Sequence, residues 1–185
     1  GSGHRASVDA IFTAAQARGM RLIAGKVMMD RNCPEDLRDT ASSGYAESKA
    51  LIERWHGKDR LQYAITPRFA PTSTPEQLAA AGRLAQEHTD VYVHTHIGEN
   101  EEEVAWVAKL FPERRSYLDV YDHVGLLRRR SVLAHGIWLD AADLARDFQG
   151  RKRQQRLAVD RRHGHGELGA EPHGLVEHGI EGERV

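Results

Sequence analysis

Short apolar segments alternate with longer amphipathic segments along the first 146 residues of the chain. Four apolar segments predict strands of a buried parallel sheet, and they begin near residues 20, 61, 91 and 131. The segments between them carry apolar residues at the i, i+3, i+4, i+7 spacing of a helix with one buried face. Alternating strands and helices favour right-handed βα units. The pattern therefore predicts an α/β fold with about four βα units and a parallel sheet.

Several predicted elements begin or end at residues with strong terminal preferences. The first helix is predicted to follow an N-cap at Ser7 and to stop at Gly19, and residues 20–29 are predicted to form the first strand. Thr74 is predicted to cap a later helix, with Gln77 completing a capping box. These residues set the expected boundaries of the elements.

Polar side chains occur where the predicted strands end. His94 and His96 are two residues apart, so they face the same side of their strand, and Glu99 follows its end. His135 lies at the end of the next strand, and Arg68 follows the preceding one. Chemistry in parallel barrels takes place at the C-terminal ends of the strands. The sequence therefore predicts one site that brings these side chains together.

Imidazole and carboxylate groups at strand ends suit zinc-dependent hydrolysis. A neutral imidazole binds the metal, and a carboxylate can move protons for a metal-activated water. Simpler interpretations exist for each residue. His96 could be a strand histidine bonded to backbone, Glu99 could be a solvated acid at a helix start, and Arg68 could pair with a nearby carboxylate. Spacing alone does not choose between these interpretations.

Composition limits the class of protein. The chain has 185 residues, 40% of them hydrophobic and 29% charged, and a net charge of −1, so we expect no nucleic-acid partner and no acidic membrane partner. Cys33 is the only cysteine, which excludes an internal disulfide and fits a reducing, cytoplasmic location. No apolar run approaches the ~20 residues that span a bilayer. We therefore expect a cytoplasmic protein.

Length and tail composition predict an incomplete barrel. A (β/α)8 TIM-type barrel typically needs about 250 residues, so we expect residues 1–146 to form a partial barrel. Open sheet edges favour association, and a homodimer is one expected result. Residues 147–185 lose all apolar periodicity. We expect them to be an irregular, non-homologous tail, either disordered or the product of a reading-frame shift.

Five short motifs resemble those of the guanine deaminases of the amidohydrolase superfamily, and the resemblance covers roughly residues 7 to 146. The motifs are Gly-Lys-Val-Met-Met-Asp at 25–30, Thr-Pro-Arg-Phe at 66–69, His-Thr-His-Ile-Gly-Glu-Asn at 94–100, Tyr-Leu-Asp-Val-Tyr-Asp at 117–122 and Ala-His-Gly at 134–136. The resemblance implies a TIM-type barrel, one zinc ion, and hydrolysis of guanine to xanthine and ammonia.

The resemblance also implies a role for each site residue. His96 and His135 would bind zinc, Glu99 would transfer protons, and Arg68 and Phe69 would bind the purine base.

Other positions are left outside these roles. His94 falls where the family has no ligand, so we expect it to support the site or to fill space. The family's first-strand His-x-His pair and last-strand aspartate have no match here, so we expect this chain to be inactive alone. The alternatives are another cytosolic heterocycle aminohydrolase and a non-catalytic fragment.

Overall fold

The computed structural model describes residues 2–146, in which helices and parallel strands alternate. The strands are β1 (Leu22–Ala24), β2 (Val27–Met28), β3 (Leu61–Pro67), β4 (Tyr92–Ile97) and β5 (Ser131–His135). The helices are α1 (Arg5–Ala17), α2 (Ala41–Trp55), α3 (Pro75–Glu87), α4 (Glu101–Leu110) and α5 (Tyr117–His123). Short 3₁₀ turns cover Glu35–Leu37 and Ala70–Thr72, and residues 141–146 form the start of a further helix.

The strands form one parallel sheet in the order β1-β3-β4-β5, with β2 also paired to β3. This is the predicted α/β partial barrel, with strands and connecting helices in the expected sequence. No helix among residues 2–146 combines the length and apolar character needed to cross a membrane.

The two faces of β4 differ in their surroundings. Val93, Thr95 and Ile97 are fully buried on the face covered by helices, while His94 and His96 are only half-buried on the opposite face. The main apolar core lies between the helices and the sheet, where aromatic rings pack closely. The Phe12 ring, for example, stacks on Trp55 with centroids 5.5 Å apart. The predicted alternation of side chains between the two faces of this strand is therefore confirmed, and it places His94 and His96 together on the face that the helices do not cover.

The prediction of one continuous strand over residues 20–29 is wrong. The structure has two short strands there, β1 and β2, with a break between them. The backbone N–H of Lys26 donates to the Tyr63 hydroxyl at 3.1 Å, and the Thr66 hydroxyl donates to the Ala64 carbonyl at 2.8 Å. A Cβ on Gly25 would come within 1.7 Å of the Ala64 carbonyl oxygen. Side chains thus replace the regular ladder bonds at this point, and the close approach requires glycine.

Two predicted helix starts also need correction. Helix α1 begins at Arg5, and the side chain of His4, not Ser7, caps it by accepting from the Ala6 backbone N–H at 3.3 Å. Thr74 caps α3 as predicted, accepting from the Gln77 N–H at 3.2 Å. The Gln77 side chain does not close a capping box because it is fully buried, with neither polar atom bonded within the described protein. Tertiary burial overrides the local capping pattern here.

The predicted tail, residues 147–185, lies outside the described residues. Within them, β5 is one of the two edge strands of the sheet, and apolar side chains near it are exposed. Val132 is 50% exposed and Ile137 is 69% exposed. The predicted homodimer stays a prediction.

Candidate active site

The predicted site residues lie together at the C-terminal edge of the sheet. Strands β4 and β5 pair in a register that places His96 beside Ala134 and Ile97 beside His135. Arg68 and Phe69 follow directly after β3, the neighbour of β4 on its other side. Adjacent parallel strands therefore bring these residues together, as the alternation of strands and helices predicts.

The ring of His96 is fixed by a backbone carbonyl. Its Nδ1 lies 2.7 Å from the Arg68 carbonyl oxygen, which also accepts the His96 backbone N–H at 3.1 Å. A carbonyl oxygen can only accept, so Nδ1 carries the hydrogen and the Nε2 lone pair is left available. Histidine ligands in metalloproteins commonly have this arrangement, in which the second nitrogen donates to a carbonyl or carboxylate.

The turns that follow β4 and β5 are joined by backbone hydrogen bonds. The Gly98 carbonyl accepts from the N–H groups of Ile137 and Trp138, each at 3.1 Å. Gly98 has a φ of 56°, and a Cβ there would lie 3.3 Å from the Trp138 carbonyl oxygen. This close junction places the Glu99 carboxylate 3.5 Å from Nε2 of His135.

His135 has a backbone conformation that is uncommon for a residue with a side chain. Its φ is 71°, in the left-handed region, which usually costs free energy for residues other than glycine. Such conformations persist where the surrounding structure fixes them, and they cluster at functional sites. Here the neighbouring Gly136 N–H bonds the Ile97 carbonyl at 2.8 Å, which holds the turn.

The two imidazoles are close enough to share a metal ion. The ring centroids of His96 and His135 lie 5.5 Å apart. With Zn–N bonds of about 2 Å, two histidines on one tetrahedral zinc have centroids about 5 Å apart. The donor set therefore fits two ligand positions of a zinc site. Among residues 2–146, no cluster of three or more His, Cys, Asp or Glu side chains is arranged to hold a metal.

Arg68 and Phe69 form one wall beside the histidines. The Arg68 guanidinium lies over the Phe69 ring at 5.3 Å, and the edge of Phe69 meets the Trp106 ring with centroids 6.4 Å apart. A cavity of about 440 Å³ opens beside Arg68 and is lined in part by Met29, His94 and His96. It has room for a planar heterocycle between the Arg68 guanidinium and the rings of His94 and His96.

His94 lines the same cavity, with its ring 5.9 Å from that of His96. Burial, and then the nearby His96, lower the pKa of His94. It is therefore expected to stay neutral near pH 7. Its predicted role as a supporting or space-filling residue remains a prediction, as do the roles of the five site residues.

The sequence did not reveal three residues that support the site. Trp106, on α4, contacts Phe69, and Tyr121, on α5, donates its hydroxyl hydrogen to the His96 carbonyl at 2.8 Å. Asp39 binds Lys26. The Lys26 ammonium lies 2.6 Å from both Asp39 carboxylate oxygens, and burial raises the pKa of Asp39 against the opposing effect of Lys26. For Tyr121 the only signal was its place in the motif at 117–122.

Comparison with known proteins relates the chain to a family of hydrolases. The model of the amidohydrolase family matches residues 2–168. The guanine deaminase of Escherichia coli (strain K12) is 58% identical over 140 residues, which cover 76% of this chain and 32% of the relative. The probable guanine deaminase of Deinococcus radiodurans is 45% identical, over 74% of this chain and 31% of the relative. The chain thus spans about a third of the length of these curated relatives.

Solved structures agree with this relationship. The E. coli guanine deaminase superposes with a TM-score of 0.80 at 55% identity, covering 81% of this chain and 35% of the other. A guanine deaminase from C. acetobutylicum with guanine bound in its active site gives a TM-score of 0.75 at 28% identity, covering 79% and 36%. The fold of this chain thus matches about a third of each of these longer chains. On its sequence and its fold, this chain belongs to the amidohydrolase family.

Proposed function

We propose that this chain carries part of a zinc-dependent site for the hydrolytic deamination of guanine to xanthine and ammonia. The observation that carries the proposal is the meeting of His96, His135 and Glu99 at one sheet edge. The imidazole centroids are 5.5 Å apart, and the Glu99 carboxylate is 3.5 Å from His135. Similarity to guanine deaminases, at 58% identity for the E. coli protein, supports guanine as the substrate.

His96 and His135 are the residues proposed to hold the metal. His96 would bind through Nε2, since its Nδ1 is committed to the Arg68 carbonyl. A bound zinc would lower the pKa of a coordinated water towards neutral pH. The chain's own contribution is to carry both imidazoles on adjacent strands and to hold the His96 ring by its bond to the Arg68 carbonyl.

Glu99 is proposed to move protons. Its carboxylate takes one proton of the water as the water oxygen bonds to C2 of guanine, and it delivers that proton to a ring nitrogen. It then takes the remaining proton from the new C2 hydroxyl and delivers it to the amino group. The bond between C2 and the amino nitrogen breaks, C2 becomes a carbonyl and ammonia leaves, so the balance is guanine plus water to xanthine plus ammonia. The turn at Gly98 supports this role because it fixes Glu99 beside His135. General acid–base help of this kind typically contributes about 10²–10⁴-fold.

Arg68 and Phe69 are proposed to hold the base. A guanidinium is a rigid fork of N–H donors that suits the carbonyl edge of guanine, and an aromatic ring suits the flat face of a purine. Arg68 lines the 440 Å³ cavity and its guanidinium lies over the Phe69 ring, which supports this assignment. Trp106 packs against the far side of Phe69 and keeps the ring in place.

A non-catalytic role is the second candidate. The observation that favours it is the donor set, since residues 2–146 offer no cluster of three metal-binding side chains. A catalytic zinc usually has three protein ligands and a water. In this role the chain would bind zinc weakly or associate with an intact subunit.

We also propose a cytoplasmic location and a possible association into homodimers. A single cysteine supports the location, and the exposed apolar side chains near β5 support association. A net charge of −1 supports a small-molecule substrate over a nucleic-acid partner.

The test follows xanthine formation from guanine in the presence of zinc. We would assay the 185-residue chain and a chimera in which the unmatched segments of the E. coli guanine deaminase are joined to it. The chimera is expected to form xanthine, and the chain alone is not. Ammonia release from another heterocycle but not from guanine would show that guanine is the wrong substrate. A folded, zinc-loaded chimera that deaminates no heterocycle would support the non-catalytic role instead.

A further inference from the structure

The hydroxyl of Tyr121 lies at the junction of three chain segments. Tyr121 is on α5 and is fully buried. Its oxygen accepts the Ala70 backbone N–H at 2.9 Å and donates to the His96 carbonyl at 2.8 Å. The Thr95 hydroxyl lies 3.1 Å from the same oxygen. One side chain therefore bonds the segment after β3 and the end of β4 at the same time.

The Arg68 carbonyl forms a second junction between the same segments. It accepts from the His96 backbone N–H at 3.1 Å, from His96 Nδ1 at 2.7 Å and from the Thr95 hydroxyl at 3.2 Å. The segment from Arg68 to Ala70 is thus bonded to β4 at its start and, through Tyr121, at its end. Phe69 lies between the two attachments.

We propose that Tyr121 is a positioning residue that holds the segment bearing Arg68 and Phe69 in register with His96. The assignment of those residues to base and metal binding rests on the function proposed above. Tyr121 itself is separated from the cavity by the strand and contributes through the backbone. Its effect on the His96 ring passes through the Arg68 carbonyl, whose position sets which imidazole nitrogen carries the hydrogen.

The surroundings of Tyr121 keep its hydroxyl in the donating form. Burial raises the pKa of Tyr121 to about 12, so the phenol keeps its hydrogen at neutral pH. Removing the oxygen leaves the Ala70 N–H and the His96 carbonyl without this partner in the interior. Buried backbone groups without partners are costly, so the local backbone is expected to shift until they find others.

Tyr63 provides a matched control. It is also fully buried, burial also raises its pKa to about 12, and its hydroxyl also accepts a backbone N–H, that of Lys26. The Tyr63→Phe substitution removes the same atom from an equally buried site, but away from His96. If a buried phenol has only a structural role, the two substitutions should affect His96 and zinc affinity to the same extent. A positioning role predicts a change at His96 only for Tyr121→Phe.

The experiment reads the tautomer of His96 directly. The 185-residue chain would be labelled with ¹⁵N-histidine, and long-range ¹H–¹⁵N spectra would be recorded without metal. The signals of His96 would be assigned as those that disappear in His96→Gln. We expect hydrogen on Nδ1 of His96 in the wild type and in Tyr63→Phe. We expect a mixture of both tautomers in Tyr121→Phe. Zinc affinity, measured by competition with a chelator, should fall about tenfold in Tyr121→Phe and stay within twofold in Tyr63→Phe.

Unchanged His96 signals and zinc affinity in a folded Tyr121→Phe chain would overturn the proposal, as would equal changes in Tyr63→Phe. If Tyr121→Phe does not fold, Thr95→Val takes its place. The Thr95 hydroxyl lies within hydrogen-bond distance of both the Arg68 carbonyl and the Tyr121 oxygen, and because it carries a single hydrogen the substitution removes a bond from one of the two junctions. An unchanged His96 tautomer in that variant would also overturn the proposal. These readouts need no turnover. If the 185-residue chain shows the expected tautomers but the chimera has no deaminase activity, only the proposed function is overturned.

Discussion

The Lys26 ammonium and the Asp39 carboxylate form a buried ion pair that joins the β1–β2 strand region to the loop before α2. The side chains are only 2% and 10% exposed, and Nζ lies 2.6 Å from both carboxylate oxygens. Glu47 approaches the same ammonium at 3.5 Å. The long loop that follows β2 is thus attached to the strand region at Lys26, and neither Lys26 nor Asp39 is among the residues that line the cavity.

Removing one partner of this pair should destabilise the fold strongly. Asp39→Ala leaves a buried ammonium with a weaker partner, and such losses typically cost about 3–5 kcal/mol. We expect the free energy of unfolding, measured by urea titration, to fall by that amount. The control is Glu35→Ala, which breaks the exposed pair with Arg38 and should cost less than about 1 kcal/mol. Equal losses in the two variants would contradict this assignment.

Zinc binding by the 185-residue chain should be weak and should depend on His96. Two imidazoles are available at the site, whereas a tightly held zinc usually has at least three protein ligands. We expect a strong chelator to remove zinc completely at equal concentration, and His96→Ala to abolish the residual binding seen by calorimetry. The exposed His123, at the end of α5, provides the control, since His123→Ala should bind like the wild type. Chelator-resistant 1:1 binding that needs His96 would refute the prediction.

Glu99→Gln should retain zinc and lose turnover. In the chimera described above, we expect kcat for guanine to fall about 10²–10⁴-fold, because an amide cannot accept and return the proton. Zinc content, measured by elemental analysis, should be unchanged. Glu102→Gln is the matched control, since it removes another exposed carboxylate in the first turn of α4. Similar rates for the two variants would show that Glu99 is only a helix-start acid.

Arg68→Ala should weaken the use of guanine without releasing the metal. The substitution removes the guanidinium but keeps the backbone carbonyl that fixes His96. Loss of a charged hydrogen bond of about 1.5–3 kcal/mol corresponds to about a 10–100-fold increase in KM. Steady-state kinetics with guanine would measure it. A variant that loses zinc along with substrate affinity would contradict the separation of the two roles.

Stability should decrease above pH 10 because buried tyrosines resist ionisation. Burial raises the pKa of Tyr63 to about 12, while an unfolded tyrosine ionises near pH 10. Between these values the unfolded state releases a proton that the folded state keeps, so raising the pH favours unfolding. The contribution of Tyr63 reaches about 2–3 kcal/mol by pH 12. Urea titrations at pH 9 and pH 11 should show a smaller loss for Tyr63→Phe than for the wild type.

The sequence was informative where structure depends on local periodicity. The alternation along β4 predicts that His94 and His96 share a face, and the order of strands and helices predicts that His135 lies beside them. Both follow from the geometry of parallel strands, which requires no knowledge of side-chain packing. The residues at 66–69 were found in the same way, because they follow a predicted strand.

Contacts between distant segments were not predictable in this way. Lys26 and Asp39 meet because a loop folds back over β2, and no period in the sequence encodes that path. The break between β1 and β2 depends on a hydroxyl from another strand. Gln77 fits a capping pattern, yet burial against α2 determines its position. In each case the outcome depends on tertiary packing, which the local sequence pattern does not encode.

The double hydrogen bond to the Gly98 carbonyl has a consequence for engineering the substrate range. The turns after β4 and β5 cannot change length independently, because an insertion in either would displace both Glu99 and His135. The loop between β2 and α2 is bonded instead to the segment after β3, where Arg31 donates to the Ala70 carbonyl at 3.2 Å and Asn32 donates to the Pro71 carbonyl at 2.7 Å, and its Leu37 lines the cavity. New substrate preferences are therefore more accessible through this loop than through the turns that carry the chemistry.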